Sequence, residues 1–274
     1  MNQAEILKKF NLDWEVRAER VITESGIELP QIALIRDDTN QHLSTRGDGY
    51  EIFQNEQLID LLFQISKRTS LDIHRGGFFS KGEKVYIQLK SNNLKLGNDI
   101  VEGYLTGINS FDGSTSLAFG TSNTTISCQN KFFSVFKNLE NKVRHSKTMV
   151  QRIDAICRQM DSLLLEEQEI FGQITRMSEE RYKALDLEKV LDTLFKPTTD
   201  ENMNNGKRTN SIERFMTDLE IETKQKGDNL WGLFSGVTRY TTHTVKTKDN
   251  VENKMFGRYG EMERKLFNHF SLLV

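Results

Sequence analysis

Proline and cysteine are nearly missing from this chain of 274 residues, with two of each. Cys128 and Cys157 fall in separate expected elements, each in an apolar setting. They read as buried, reduced thiols, which excludes a disulfide-stapled secreted scaffold and a paired-cysteine redox or zinc motif. No apolar run approaches the ~20 residues of a membrane-spanning helix, so no membrane partner is expected. The opening Met1-Asn-Gln-Ala-Glu-Ile-Leu-Lys-Lys9 has no apolar signal-peptide core, so an intracellular protein is expected. The histidines His42, His74, His145, His243 and His269 never come to ligand spacing, which argues against a zinc centre. Gly76-Gly77 lacks the Gly-Lys-Ser/Thr ending of a phosphate loop, and no Gly-x-Ser-x-Gly elbow occurs. No metal and no cofactor are expected.

What is present is phenylalanine, 17 of them within 36% hydrophobic content, enough for one large core or two modest ones. The net charge of −2 conceals an uneven distribution. Residues 1–66 carry 6 Lys/Arg against 12 Asp/Glu, residues 67–152 carry 13 against 6, and residues 153–274 carry 18 against 21. A central excess of +7 in an otherwise acidic chain is what a polyanion-facing surface requires, although solvated lysines on strand and helix exteriors give the same count.

Periodicity and turn chemistry predict an α+β fold: an antiparallel sheet built from hairpins with a packed helix, then a mostly helical C-terminal half. Residues 2–9 read as a short helix or a frayed end. Residues 31–36 and 41–46 flank the turn cluster Asp37-Asp38-Thr39-Asn40 as a first hairpin. Ile52, Leu58, Leu61, Leu62 and Ile65 have helical spacing across residues 50–68. Residues 71–79 and 83–90 form a second hairpin around Ser80-Lys81-Gly82. Residues 104–110 and 114–119 form a third around Asp112-Gly113, with a further strand at 123–127. These give four to seven strands within residues 30–130. Domain organisation reads as an α+β domain with a basic centre over 1–145 and a helical region over 146–274. Ser146 is a good N-cap. After it, Met149, Ile153, Ile156, Met160, Leu163, Glu167, Ile170, Ile174 and Met177 step by fours and threes as a heptad seam. A helix of about 30 residues reaches roughly 45 Å. It either packs lengthwise within the chain or serves homo-oligomerisation. The polar, Asn-rich stretch from Pro197 to Gly206 reads as a mobile loop near 197–210, with a further helix from about Ser211. Trp231, Phe234, Val237 and Tyr240 have the spacing of a buried helix face, and Phe267, Phe270, Leu272 and Leu273 that of a docked last turn.

Arg75, Lys81 and Lys84 cluster on the second hairpin beside Phe78, Phe79 and Tyr86. Cations for phosphates and ring faces for bases are what single-stranded nucleic acid needs. The two phenylalanines are equally good core residues, but adjacent strand positions face opposite ways, which leaves one ring outside. Lys131, Lys142, Arg144 and Lys147 extend the basic block. The partner expected is single-stranded DNA. Catalytic alternatives are weaker. Asp112 could serve a nuclease only with companion carboxylates, for which Asp99 and Glu102 are near in sequence, and Asp-Gly is foremost turn chemistry. Cys128 with His145 could make a thiol nucleophile, but Cys128 ends an apolar strand, and Asn130 reads as a helix cap. No catalytic residue is therefore assigned.

Spaced segments along the chain also resemble a known family. They are Gly49-Tyr50-Glu-Ile-Phe-Gln-Asn55; His74-Arg-Gly-Gly-Phe-Phe-Ser-Lys-Gly82 with Val85-Tyr-Ile-Gln88; Ser110-Phe-Asp-Gly-Ser114 followed by Cys128-Gln-Asn130; Arg144-His-Ser146; and Trp231-Gly-Leu-Phe-Ser-Gly-Val-Thr-Arg-Tyr240 with His243. In this order they resemble the phage/plasmid-like family known as domain of unknown function 932. The family-motif residues carried over are Asp112, Gly113, Asn130, His145 and Trp231. Phe111 and Ser235 depart from the pattern, standing where the family usually has His and Asn. The resemblance implies a mobile genetic element and the cytoplasm of its host cell, and it brings no settled reaction. By analogy with phage strand-annealing proteins, it implies a non-catalytic DNA-transaction protein in recombination or replication. The alternative is a non-enzymatic interaction protein that modulates a host defence or replication component.

Overall fold

Local signals that start and stop elements account for most of the architecture. The computed structural model describes residues 2–97, 99–125, 131–132, 142–143, 145, 149–195, 205–246 and 250–274. Of residues 124–125, 131–132, 142, 149–159, 161, 205 and 250–251 it describes the backbone alone. Helix α1 (Gln3–Lys9) opens with a capping box in which Asn2 and Glu5 exchange side-chain and backbone bonds. Strands β1 (Val16–Ile22), β2 (Glu28–Arg36) and β3 (Gln41–Gly47) form a three-stranded sheet in that order. Its pairs are antiparallel, with Val16 opposite Arg36 and Ala33 opposite Thr45. The turn at 37–40 is where turn chemistry places it. The preceding strand β1 has no sequence signal, because its burial does not alternate: only Val16 is buried along it. Helix α2 (Asn55–Thr69) buries Leu58, Ile59, Leu61, Leu62 and Ile65 and stops at Ser70, whose φ of 58° is left-handed.

The second sheet has six strands: β4 (Asp72–Phe79), β5 (Lys84–Leu96), β6 (Asp99–Ser110), β7 (Leu117–Thr125), β8 (Lys131–Phe132) and β9 (Lys142–Val143). They lie in the order β4-β5-β6-β7-β8, with β9 also on β7. The pairs β4–β5, β7–β8 and β7–β9 run antiparallel. Gly107 in β6 shows how closely α2 approaches: a β-carbon there would lie 3.0 Å from Phe119 and 3.4 Å from Leu62. The strand expected at 114–119 and residues 123–125 of the one expected at 123–127 are one strand, β7, because nothing between Leu117 and Thr125 breaks the ladder; residues 126–127 lie outside the described residues. The tight hairpin expected at Asp112-Gly113 is a wider loop over residues 111–116.

The C-terminal half is helical: α3 (Met149–Glu179), α4 (Ala184–Leu194), α5 (Asn205–Lys226), α6 (Leu230–Arg239), a π-helical turn (Tyr240–Thr244), α7 (Asn250–Phe256) and α8 (Arg258–Ser271). From Met160 onward the heptad reading of α3 holds; the side chains of Met149, Ile153 and Ile156 lie outside the described residues. Met160, Leu163, Glu167, Ile170, Ile174 and Met177 are all buried, whereas Leu165, off the seam, is 64% exposed. Each such buried aliphatic side chain stabilises by about 1.5–3 kcal/mol. Helix α5 begins inside the stretch read as a loop, six residues before the Ser211 start. Its first turns are solvent-facing, so their polar composition carries no core-facing stripe. Residues 196–204 lie outside the described residues.

Two compact units result. The first takes the chain to Asn92, Tyr104–Thr121 and α3 as far as Leu165. Leu12, Trp14, Leu34, Leu58, Leu62, Val85, Ile87, Phe111, Phe119, Met160 and Leu163 are in its core. The second takes Asn93–Gly103, the described residues of 122–134 and the described chain from Glu166 onward. There Phe195, Phe215 and Tyr240 meet edge to face at 5.5–6.1 Å, and Trp231, Phe234 and Phe267 form a second aromatic row.

Candidate functional site

On the β4–β5 hairpin the basic and aromatic residues have internal work. The Arg75 Nε donates to Gln88 Oε1 at 2.5 Å, and its guanidinium stands 4.6 Å from the Tyr104 ring centroid. Phe79 is buried and stacks on Tyr86, with centroids 5.1 Å apart. Phe78 is half-buried and edge-on to Trp14 at 6.0 Å, with the Arg36 guanidinium 4.8 Å from its ring. Neither phenylalanine is left outside, because Trp14 covers Phe78 and the cross-strand Tyr86 covers Phe79. Lys84 is spent on Asp112, 3.0 Å away. Lys81 alone of the three cations is exposed, at the hairpin turn; its N–H donates to Glu83, and its carbonyl accepts from Arg36.

The family-like residues of the first unit gather where this hairpin meets the β6–β7 loop. The Phe111 N–H donates to Glu83 O at 2.7 Å, which joins the two turns. Asp112 Oδ1 accepts from the Ser114 N–H at 2.9 Å, an Asx turn. Gly113 supplies the left-handed φ of 64° that the loop needs, and its missing side chain leaves room for the Arg46 guanidinium. Ser44 and Arg46 face the loop from β3: Ser44 Oγ donates to Phe111 O at 2.6 Å, and Arg46 Nε donates to Ser44 Oγ at 3.1 Å. The Tyr50 hydroxyl donates to Ser110 O at 2.7 Å, and its ring stacks on His145 at 4.8 Å. His145 Nδ1 bonds to Glu51 O at 3.1 Å. Its buried Nε2 has no hydrogen-bond partner. Phe111, one of the two departures from the resembled pattern, is fully buried against Trp14 and is a core residue.

The titrations follow from this packing. Burial works to raise the Asp112 carboxyl, but the Ser114 hydrogen bonds and the Lys84 ammonium hold it below the ordinary carboxylate range. Burial pushes the Tyr50 phenol far above its usual range, against the opposing charge of Arg46. Burial also lowers His145, which keeps the imidazole neutral. The cluster can therefore present one fixed carboxylate already paired, a neutral imidazole, and cations at Arg46 and Lys81. Asp99, near Asp112 in sequence, is itself paired, with Lys226 at 3.4 Å. Among the described residues no three His, Cys, Asp or Glu side chains stand together as metal ligands.

Trp231, 5% exposed, sits in the aromatic core of the second unit, as its helical spacing requires. Lys131 and Lys142 lie on β8 and β9, of which only the backbone is described; Asn130, Arg144, Lys147 and Cys128 lie outside the described residues. Sequence reasoning passed over Ser44, Arg46 and Arg36. Ser44 and Arg46 sit two apart on one strand, but nothing local ties them to a loop about 70 positions later.

The family described as a domain of unknown function (DUF932) matches residues 42–259, and the chain belongs to it. That span runs from β3 into α8 and takes in Tyr50, Asp112, His145 and Trp231. No curated protein and no solved structure matches the chain.

Proposed function

We propose that this chain binds single-stranded DNA by its phosphates, without strong sequence preference and without cutting it, as a DNA-transaction protein of a phage or plasmid acting in the host cytoplasm. The observation that carries the reading is the +7 excess over residues 67–152 in a chain of net charge −2. A local positive field attracts a polyanion whatever its sequence. Lys81, exposed at the β4–β5 turn, and Arg46, beside the β6–β7 loop, support it: neither has a carboxylate within ion-pair distance among the described residues. The packing of Phe78 and Phe79 changes the expected mode. Backbone contacts replace base stacking, and such contacts carry no sequence information.

The test is a salt-titrated binding assay with labelled single strands and duplexes. The variant R46Q/K81A should weaken binding to every sequence alike and reduce the salt slope by about 0.7 for each phosphate it no longer neutralises. R75A and K84A should act on stability instead, since both side chains hold the fold. If the intact protein shows no affinity for single strands at ~50 mM salt, where phosphate contacts are strongest, the reading is wrong. The alternative, a non-enzymatic partner of a host defence or replication component, would then stand. It draws on Ile22 and Ile27, 58% and 61% exposed at the free end of the β1–β2 hairpin.

A further inference from the structure

The three-stranded sheet of the first unit has an edge whose backbone is closed at its first rung and open beyond it. That edge is β1, which bonds on one side to β2. The Asp37 N–H donates to Glu15 O at 3.0 Å, so residue 15 faces β2. Val16 turns the other way. Its N–H donates to Gln54 Oε1 at 2.9 Å, and its carbonyl accepts from Gln54 Nε2 at 2.7 Å. Backbone groups alternate sides along an antiparallel strand, so Ala18, Arg20 and Ile22 also point their N–H and C=O outward. The irregularity in the ladder leaves this order intact, because it falls on β2, which sets residues 29–31 against Val21 alone. The Thr23 N–H then faces inward again and donates to Ile27 O at 2.9 Å.

Among the described residues nothing closes the rungs at Ala18, Arg20 and Ile22, and all three residues are exposed, Ile22 by 58%. Open rungs beside an exposed aliphatic side chain are a template for one more strand. The strand that fits is β1 itself. When two copies of a strand pair antiparallel about a two-fold axis, one residue meets its own copy on the axis and names the register. Centred on Ala18, the pairing sets Arg20 against Val16, whose groups Gln54 already occupies. Centred on Glu19, it sets Ile22 against Val16 and glutamate against glutamate. Centred on Val21, it sends Ala18 past the end of the strand at Ile22. Centred on Arg20, it sets Ala18 against Ile22 twice and Arg20 against Arg20. That register alone uses every open N–H and C=O of both copies, each facing pair exchanging both of its bonds.

We propose that β1 pairs with β1 of a second copy of this chain in the register centred on Arg20, which makes the three-stranded sheets of two chains one continuous antiparallel sheet. Ile22 then lies opposite Ala18 of the second copy at both ends of the contact, on the same face, and an exposed aliphatic side chain is covered. Arg20 opposite Arg20 is the one unfavourable pair. The Glu28 carboxylate, 3.3 Å from each guanidinium, offsets it. The contact is small, so the dimer is reversible and not obligate. It stands apart from the DNA-binding reading, since neither Arg46 nor Lys81 lies on β1.

The test is analytical ultracentrifugation of the full chain, free of nucleic acid, from micromolar to millimolar concentration. The expected result is a reversible passage from the mass of one chain to that of two. A18P and I22K should each raise the dissociation constant by about 10- to 100-fold, the loss of interchain bonds in the first and of the apolar pair in the second. Both should keep the parent's melting temperature at micromolar concentration. The Ala18 N–H bonds to nothing within the described chain, a position where an edge strand accepts proline, and Ile22 is exposed. Where A18P fails to fold, I22K carries the test. R20C reads the register: on the axis its α-carbons stand about 5.5 Å apart, within disulfide reach, whereas those of A18C stand about 14 Å apart. Under a mild thiol oxidant R20C should give a linked dimer that neither A18C nor the parent chain gives. A chain that stays monomeric at millimolar concentration overturns the proposal and leaves the edge to a strand of another protein. So does a dimer indifferent to A18P and I22K, or A18C linking as readily as R20C.

Discussion

Replacing Lys254 by methionine should destabilise the second unit by about 3–5 kcal/mol, the usual cost of stripping one partner from a buried ion pair. Lys254 and Glu263 are each 1% exposed, with Nζ and Oε1 2.6 Å apart. The ammonium also donates to the hydroxyls of Thr242 and Thr241 at 2.7 and 3.2 Å, and reaches Thr238 O at 3.3 Å. Three of its partners thus come from the end of α6 and the π-helical turn. The Thr241 hydroxyl bonds to the same Glu263 oxygen, whereas Glu263 Oε2 has no hydrogen-bond partner. K254M keeps the stem's volume and removes the charge, which leaves a carboxylate in the core. At about 2–4 °C per kcal/mol, a loss near the middle of the range lowers the melting temperature by roughly 10 °C. The pH dependence fixes the cause. Burial pushes the Glu263 carboxyl above its ordinary 4.5, against the pull of Lys254, and removing Lys254 pushes it further up. A carboxyl raised in the folded state favours folding below its unfolded value, and that support is lost as pH rises through the folded value. The deficit of K254M should therefore shrink at about pH 5 and be largest at about pH 8. K254M/E263L, which removes both charges, should recover most of the loss. Urea unfolding followed by tryptophan fluorescence gives each value by linear extrapolation. A K254M protein within ~1 kcal/mol of the parent, an equal deficit at both pH values, or a double variant as weak as the single would refute the reasoning.

The α3 seam and His145 give two more tests. L163A and I174A should each cost about 2–5 kcal/mol, whereas L165A should stay within about 0.5 kcal/mol, because only the first two side chains are buried; chemical denaturation reads all three. His145 is neutral and lowered by burial, so an unfolded chain binds its proton more readily, and stability should fall as pH drops through 6.5. H145Q should flatten that part of the stability–pH profile, and a profile with the same slope would show that the imidazole is not the titrating group.

The hairpins and the long helix were legible because their signals are local. Asp37-Asp38-Thr39-Asn40 and Ser80-Lys81-Gly82 each sit between paired strands. The heptad spacing holds on every described position from Met160 to Met177. Strand β1 was not legible, because it pairs along one edge and buries one residue, so no period-2 pattern marks it. The candidate site was half legible. The charge block and the motif residues Asp112 and His145 could be named, and the structure brings both beside the β6–β7 loop. What the rings do could not be read. A pair such as Phe78-Phe79 presents the same letters whether a base or Trp14 and Tyr86 cover it. The partnership of Lys84 with Asp112 joins residues 28 apart, which no local pattern encodes.

One seam position of α3 has a consequence for folding fidelity. Glu167 is fully buried between Leu163 and Ile170, an acid in a row of aliphatics. Apolar side chains tolerate many neighbours, and a seam of leucine and isoleucine alone would accept a partner surface displaced by a turn or two. A buried carboxylate tolerates few, since transfer away from polar partners costs several kcal/mol. Sliding α3 by one heptad would bring Ile174 to the place of Glu167 and Glu167 to the place of Met160, exchanging a matched polar contact for a stranded charge. The aliphatic positions supply the adhesion, and a buried glutamate among them makes a heptad-shifted packing costlier than an all-aliphatic seam would.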